Sequence, residues 1–256
     1  MVFGPRRVNR SDPGGHPAAG PALGALWRQH RCRTGGRERC LWCRVAVGGG
    51  DPGRVSHGVR RLGRRRHPLA HPTSPDGHGW EGQGTFMQRG EADAVGATHP
   101  CLLVTSERWW LFYSGYDGSD NGRRASVLAA VSDSGASWDR VGPILEPDDN
   151  ELAVCEPWVV EAQRRFYMFY ASDDDRRPTI QTATSEDGVF WNRQGITLTG
   201  SGEDVDTLGV RSPCVLRLHD GTLRLWYAAR PPGHVEAAYR LCSADFTGKD
   251  EWLAAV

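Results

Sequence analysis

The sequence predicts an all-β chain built as a β-propeller, incomplete, with about three full blades plus a partial one. Three observations predict it. A turn of the form Ser-x-Asp/Ser-Gly-x-x-Trp recurs as "SPDGHGW" (74–80), "SDSGASW" (132–138) and "SEDGVFW" (185–191). About 20 residues after each Trp, a proline opens an apolar run: "HPCLLV" (99–104), "EPWVV" (156–160) and "SPCVLRL" (212–218). An aromatic run follows each of these, and then a third apolar run leads back to the next turn. A period of 50 to 60 residues holding short β-branched and aromatic runs between Gly, Asp and Asn turns is the signature of stacked four-stranded blades.

Taken in order, residues 1–72 stand apart. They are rich in Gly, Pro, Arg and His and keep no period of 2 or 3.6, so they are expected to be irregular, as a low-complexity segment or a stretch in a non-native reading frame. Residues 73–256 form the propeller, with repeats near 74–131, 132–184 and 185–242 and a partial one over 243–256. The aromatic second strands are "WWLFYSG", "FYMFYAS" and "LRLWYAA", and the third strands are "ASVLAAVS", "TIQTATS" and "AAYRLCS". In each turn the Gly supplies a conformation that L side chains resist, and the Trp is expected to pack between blades. A weaker fourth turn, "SADFTGKDEW", begins at Ser243.

The net charge of zero hides an asymmetry: residues 1–72 carry 15 Arg against Asp12, Glu38 and Asp51, and the remainder is acidic. No aromatic residues interleave with the basic run "RRLGRRRHPLAHP" (60–72), so nucleic acid is not the expected partner. The pair Cys40 and Cys43 has metal-ligand spacing but no matching second pair, and no metal or cofactor is expected. Cysteines in apolar strand-like runs read as packed thiols, with no disulfide framework. The chain lacks a long apolar run and an apolar leader segment, which points to a soluble cytoplasmic protein with no membrane partner.

The repeat separates framework from function. Seven residues before the proline stand Asp93, Asn150 and Asp206, a recurring position suited to closing turns. The two positions just before the proline differ in every copy: Thr98-His99, Cys155-Glu156 and Arg211-Ser212. The innermost strand of a blade lines the central channel. These slots therefore aim a histidine, a carboxylate and a guanidinium at one axis. Glu156 stands in an otherwise apolar run, "AVCEPWVV" (153–160), where a carboxylate is costly unless it is paired or used. A structural ion pair with Arg211 is the plain alternative to a catalytic role.

The Ser-x-Asp-Gly-x-x-Trp turns, the x-Pro inner strands and the aromatic second strands resemble the five-bladed propeller glycosidases. These are the arabinanase- and xylosidase-like enzymes of glycoside hydrolase family 43 and the related fructosidase-like families. The resemblance implies glycoside hydrolysis in the central channel, with Glu156 matching the general acid. It also implies an aspartate on the first blade and another on the second. Nothing in residues 1–72 matches the first, and His99 occupies the slot of the second. Asp93 and Asp206 are the other carboxylate candidates, while His99, Arg211 and Trp158 are candidate sugar-binding residues. The expected partner is thus a carbohydrate ligand or substrate. The alternatives are a catalytically inactive carbohydrate- or protein-binding propeller, which the unmatched aspartates favour, and a sialidase-like enzyme, which would need more inner-strand arginines than Arg211.

Overall fold

The computed structural model describes residues 27–30, 69–73, 81–202, 205–232 and 239–246. The short strands β1 (Trp27–His30), β2 (Leu69–Thr73) and β3 (Glu81–Met87) precede three regular groups. The first group is β4 (Gly96–Val104), β5 (Trp109–Tyr116), β6 (Ala125–Ser132) and β7 (Asp139–Leu145). The second is β8 (Ala153–Ala162), β9 (Arg165–Asp173), β10 (Thr179–Ser185) and β11 (Asn192–Leu198). The third is β12 (Val210–Arg217), β13 (Leu223–Ala229) and β14 (Arg240–Phe246). Each group is an antiparallel meander in chain order, as a propeller blade requires. The first two blades touch through a single parallel bridge, Ala125 to Ala153. β1 pairs with β14 as the fourth strand of the third sheet, and β2 pairs with β3 in a separate two-stranded sheet. The chain is a partial β-propeller.

Hydrophobic clusters fill the spaces between blades. Between the first and second blades, Phe112, Val127 and Trp110 meet Met168, Phe166 and Tyr170. Between the second and third, Phe169 and Ile180 meet Val215, Leu225 and Tyr227. Both faces of β5 and β9 are therefore covered and their aromatic runs are buried almost continuously, whereas β13 alternates buried and half-buried residues. Trp110 stacks on Phe112 with centroids 5.5 Å apart, and Trp191 meets Phe112 edge-on at 6.0 Å.

Two of the repeated turns superimpose in their bonding. Gly135 donates its N–H to Ser132 Oγ and Gly188 donates to Ser185 Oγ, at 2.8 and 2.9 Å. Both glycines have φ of +77°. The indoles of Trp138 and Trp191 then donate to the carbonyls of Gly135 and Gly188, each at 3.0 Å. The turn that ends at Trp80 lies outside the described residues. The fourth copy departs from the expected turn: Ser243 to Phe246 continue β14, paired on both sides by β13 and β1. Phe246 stands where the other copies have their left-handed Gly, so the turn conformation is closed to it.

β1 and most of β2 arise from the segment read as irregular. Four- and five-residue strands are too short for a period of two to register in sequence. Cys242 is disulfide-bonded, where the sequence reading expected no disulfide framework, whereas Cys101, Cys155 and Cys214 are in no disulfide.

Candidate functional site

Each inner strand carries the same irregularity beside its proline. In β4 the register slips between Thr98 and Cys101, in β8 between Cys155 and Trp158, and in β12 between Arg211 and Cys214. Two residues of the inner strand thus face one residue of its partner, which defines a β-bulge. The three facing residues are Tyr113, Tyr170 and Tyr227. The residue before each proline adopts a left-handed backbone: φ is +49° at His99, +58° at Glu156 and +55° at Ser212. Such a conformation at a non-glycine residue costs of order 1–3 kcal/mol and persists only where its surroundings enforce it. Here the bulge turns three side chains out of the pleat and towards one another.

At the point of convergence lies Glu156, 4% exposed. Arg211 Nε donates to Glu156 Oε1 at 2.8 Å, and Arg211 Nη2 stands 2.5 Å from the same oxygen. Ser212 Oγ donates to Oε2 at 2.7 Å. His99 Nε2 lies 3.6 Å from Oε1, and its Nδ1 is 2.9 Å from Thr98 Oγ1. The backbone N–H of Glu156 donates to Ser114 Oγ at 2.7 Å. Arg211 also points Nη2 at Cys155 Sγ, 3.8 Å away, and Nη1 at Tyr239 Oη, 3.5 Å away. The His99 side chain is 41% exposed and forms the open side of the cluster.

The electrostatics follow from these contacts. Burial alone would raise the Glu156 pKa, but the Arg211 charge, His99 and the donors on Arg211 and Ser212 outweigh it and hold the carboxyl at about 2. The same pairing raises the pKa of Arg211. Burial, helped by the Glu156 charge, pushes the Cys155 thiol up to about 12, which leaves it a packed, inert group. Tyr116 is raised by burial and by the nearby Cys155 and Glu156. The ion pair with Arg211, the plain alternative raised from sequence, is present.

Of the remaining candidates, Asp93 and Asp206 belong to the framework. Asp93, fully buried, accepts the Gly90 N–H at 2.6 Å and pairs with Arg140 at 3.0 Å, while Tyr113 Oη is 3.4 Å away. Asp206 accepts both the N–H and the hydroxyl of Ser201, at 2.9 and 2.6 Å. Neither shares a partner with Glu156. In the second blade Glu151, not Asn150, takes this place, pairing with Arg193 at 2.8 Å beside Tyr170. Trp158 is also placed elsewhere than a sugar-stacking role requires. Its indole donates to the Val215 carbonyl at 2.9 Å and packs between the second and third blades. In a flat strand Trp158 would share a face with Glu156, and the bulge breaks that alternation. Sequence reading missed Ser114 and Tyr116 in β5 and Tyr239 just before β14. A surface hollow lined by Arg165, Glu186, Asn192 and Gln194 holds none of these residues. Among the described residues no cluster of His, Cys, Asp or Glu could hold a metal, and no helix is long and apolar enough to cross a membrane.

The family model described as the glycosyl hydrolases family 32 N-terminal domain matches residues 68–229, more than half of the chain. The chain belongs to this family. Its fold is also that of solved family members and neighbours. Against sucrose-6-phosphate hydrolase from Lactobacillus gasseri the TM-score is 0.55 at 16% identity, over 65% of this chain and 35% of that one. Against a GH32 β-fructofuranosidase from Bombyx mori it is 0.56 at 17% identity, over 67% and 38%. Against a protein described as a glycoside hydrolase it is 0.58 at 18% identity, over 73% and 58%. The chain therefore spans 35% to 58% of the length of these structures. No curated protein sequence matches it significantly. Of the two branches of the resemblance drawn from sequence, the family match carries the fructosidase-like one.

Proposed function

We propose that this chain acts on, or binds, a carbohydrate at the axial cluster of His99, Glu156 and Arg211, as a propeller of the glycoside hydrolase type. The observation that carries this reading is the repeated pre-proline bulge. One strained position, repeated in three blades, brings His99, Glu156 and Ser212 together, and Arg211 reaches Glu156 from the residue before Ser212. Family membership supplies the class of ligand. One similar structure is described as a β-fructofuranosidase in complex with sucrose, which makes β-fructosides the first compounds to try. The propeller is taken to run over residues 73–256.

The resemblance assigns the proton donor's role to Glu156. Its ion pair with Arg211 keeps that proton off at neutral pH, so Glu156 serves in the resting protein as a fixed anion and an anchor for Arg211. That same ion pair favours the second reading, a binding propeller without turnover.

Calorimetric titration with a glycan panel that includes sucrose tests the proposal. Binding is expected in the wild type and about two- to tenfold weaker in His99→Ala, the loss of one exposed polar contact at the mouth of the cluster. A panel that binds nowhere, or binds equally well after His99→Ala, would remove the axial cluster as the carbohydrate site.

A further inference from the structure

Ser114, in β5 of the first blade, is fully buried, and its hydroxyl oxygen accepts the backbone N–H of Glu156 at 2.7 Å. The bond crosses from one blade to the next, between residues 42 apart in the chain. Glu156 is itself buried, and a buried N–H has to find its acceptor within the protein. In its own blade Ser114 lies opposite Thr98, whose Oγ1 is 2.9 Å from His99 Nδ1. One serine thus stands behind both His99 and Glu156.

The other blades isolate what this serine adds. Ala171 lies opposite Cys155, and Ala228 opposite Arg211, as Ser114 lies opposite Thr98. An alanine side chain has no atom that accepts a hydrogen bond. The third-blade bulge, with Ser212 at a φ of +55°, forms beside a second blade that offers Ala171 at this position. A hydroxyl is therefore not needed to build the bulge or its left-handed backbone. It is present in the blade that precedes the carboxylate.

We infer that Ser114 is a positioning residue of the axial site: it pins the backbone from which Glu156 rises, so that the carboxylate meets His99, Arg211 and Ser212 together. The use of that placement rests on the carbohydrate reading above; the placement itself does not. Glu156 Oε1 receives Arg211 Nε at 2.8 Å with His99 Nε2 3.6 Å away, and Oε2 receives Ser212 Oγ at 2.7 Å. His99 comes from the blade before and Arg211 and Ser212 from the blade after, so a shift of the Glu156 backbone disturbs contacts on both sides. Groups that meet a ligand must be held to within about 0.5 Å, and hydrogen bonds behind them supply that precision.

Ser114→Ala tests the inference, since alanine already fits this position in the other two blades, and Ser114→Thr restores a hydroxyl. The ligand-free readout is the Arg211 Nε–H signal in proton–nitrogen NMR spectra of the full chain at pH 7, whose exchange with water is slowed while it donates to Glu156. Exchange is expected to be about two- to tenfold faster in Ser114→Ala, the equivalent of one net hydrogen bond, and to return towards the wild-type rate in Ser114→Thr. Gly142→Ala, at a φ of +103° in a strand with no residue of the cluster, strains the fold and should leave this rate unchanged. Sucrose binding, followed by calorimetry, should weaken about two- to tenfold in Ser114→Ala and be retained in Ser114→Thr. An Arg211 signal unchanged in Ser114→Ala, or changed equally in Gly142→Ala, overturns the inference whatever the binding. Faster Arg211 exchange with sucrose bound equally well by Ser114→Ala overturns the role in the site and leaves the carbohydrate reading standing. If Arg211 responds as expected and the wild type binds neither sucrose nor any other glycan of the panel, the carbohydrate reading fails and the placement of Glu156 by Ser114 stands.

Discussion

Replacing Arg211 by Met removes the guanidinium and keeps most of the stem, so the change isolates charge from volume. The wild-type carboxyl of Glu156 is 3% exposed and receives two nitrogens of Arg211 on one oxygen. Taking away one partner of a buried pair leaves an uncompensated charge, at a cost of about 3–5 kcal/mol. In urea, with m values of about 2–3 kcal/mol/M for a chain of this size, the midpoint should drop by about 1–2 M at pH 7. The dependence on pH should also change sign. In the wild type the folded carboxyl sits at about 2, below its ordinary 4.5, so the unfolded chain binds more protons between these values. Its contribution is therefore full above 4.5 and lost as pH falls towards about 2, and the gap is worth roughly 3 kcal/mol. Without Arg211, burial dominates and the folded carboxyl rises above its unfolded value. The folded variant then binds more protons, and its stability should increase as pH falls from 7 through 5. The assay is urea unfolding followed by tryptophan fluorescence at pH 7, 5 and 4, for Arg211→Met, Glu156→Gln and the double variant. The double variant should be more stable than Arg211→Met alone, because no unpaired carboxylate remains. A cost below about 1 kcal/mol at pH 7, or a pH slope of the wild-type sign, would refute the account of Glu156 as an Arg211-held anion.

Other predictions address the framework. Asp93→Asn should cost about 2–4 kcal/mol in urea unfolding by leaving Arg140 without its buried partner, while sugar binding stays at the wild-type level. Gly188→Ala would place a Cβ 2.8 Å from the Trp110 ring at a φ of +77°, whereas Gly142→Ala, at +103°, meets no atom within 4 Å. The first should therefore destabilise by about 2–4 kcal/mol and the second by about 1–2, a difference that thermal melts resolve. Trp158→Phe loses the bond to the Val215 carbonyl and should cost about 1 kcal/mol without weakening sugar binding; a selective loss of binding would return Trp158 to the site.

The repeat made the propeller legible because it imposes the same local demands at two turns of the described residues. A Ser hydroxyl, a left-handed Gly and an indole N–H must meet within seven residues, and those demands fall on fixed residue types in Ser132–Trp138 and Ser185–Trp191. The contrast between copies likewise made the slot of His99, Glu156 and Arg211 stand out. The framework acids were half legible. Asp93 and Asp206 stood out, but the second blade uses Glu151, one residue further on, because a longer side chain from a shifted position reaches Arg193 equally well.

By itself, then, the sequence determined the blades, their order and the residues that differ within a common frame, all of which are local or periodic properties. Only the tertiary structure decided what those residues are to one another. Whether Glu156 is a proton donor or a fixed anion depends on where Arg211, 55 residues later, places its nitrogens. Ser212 joins the cluster by donating to Glu156, and Trp158 leaves it through a bulge. Charge state is set by burial and by neighbours a few ångströms away, and these come from other blades, at distances along the chain that no local pattern records.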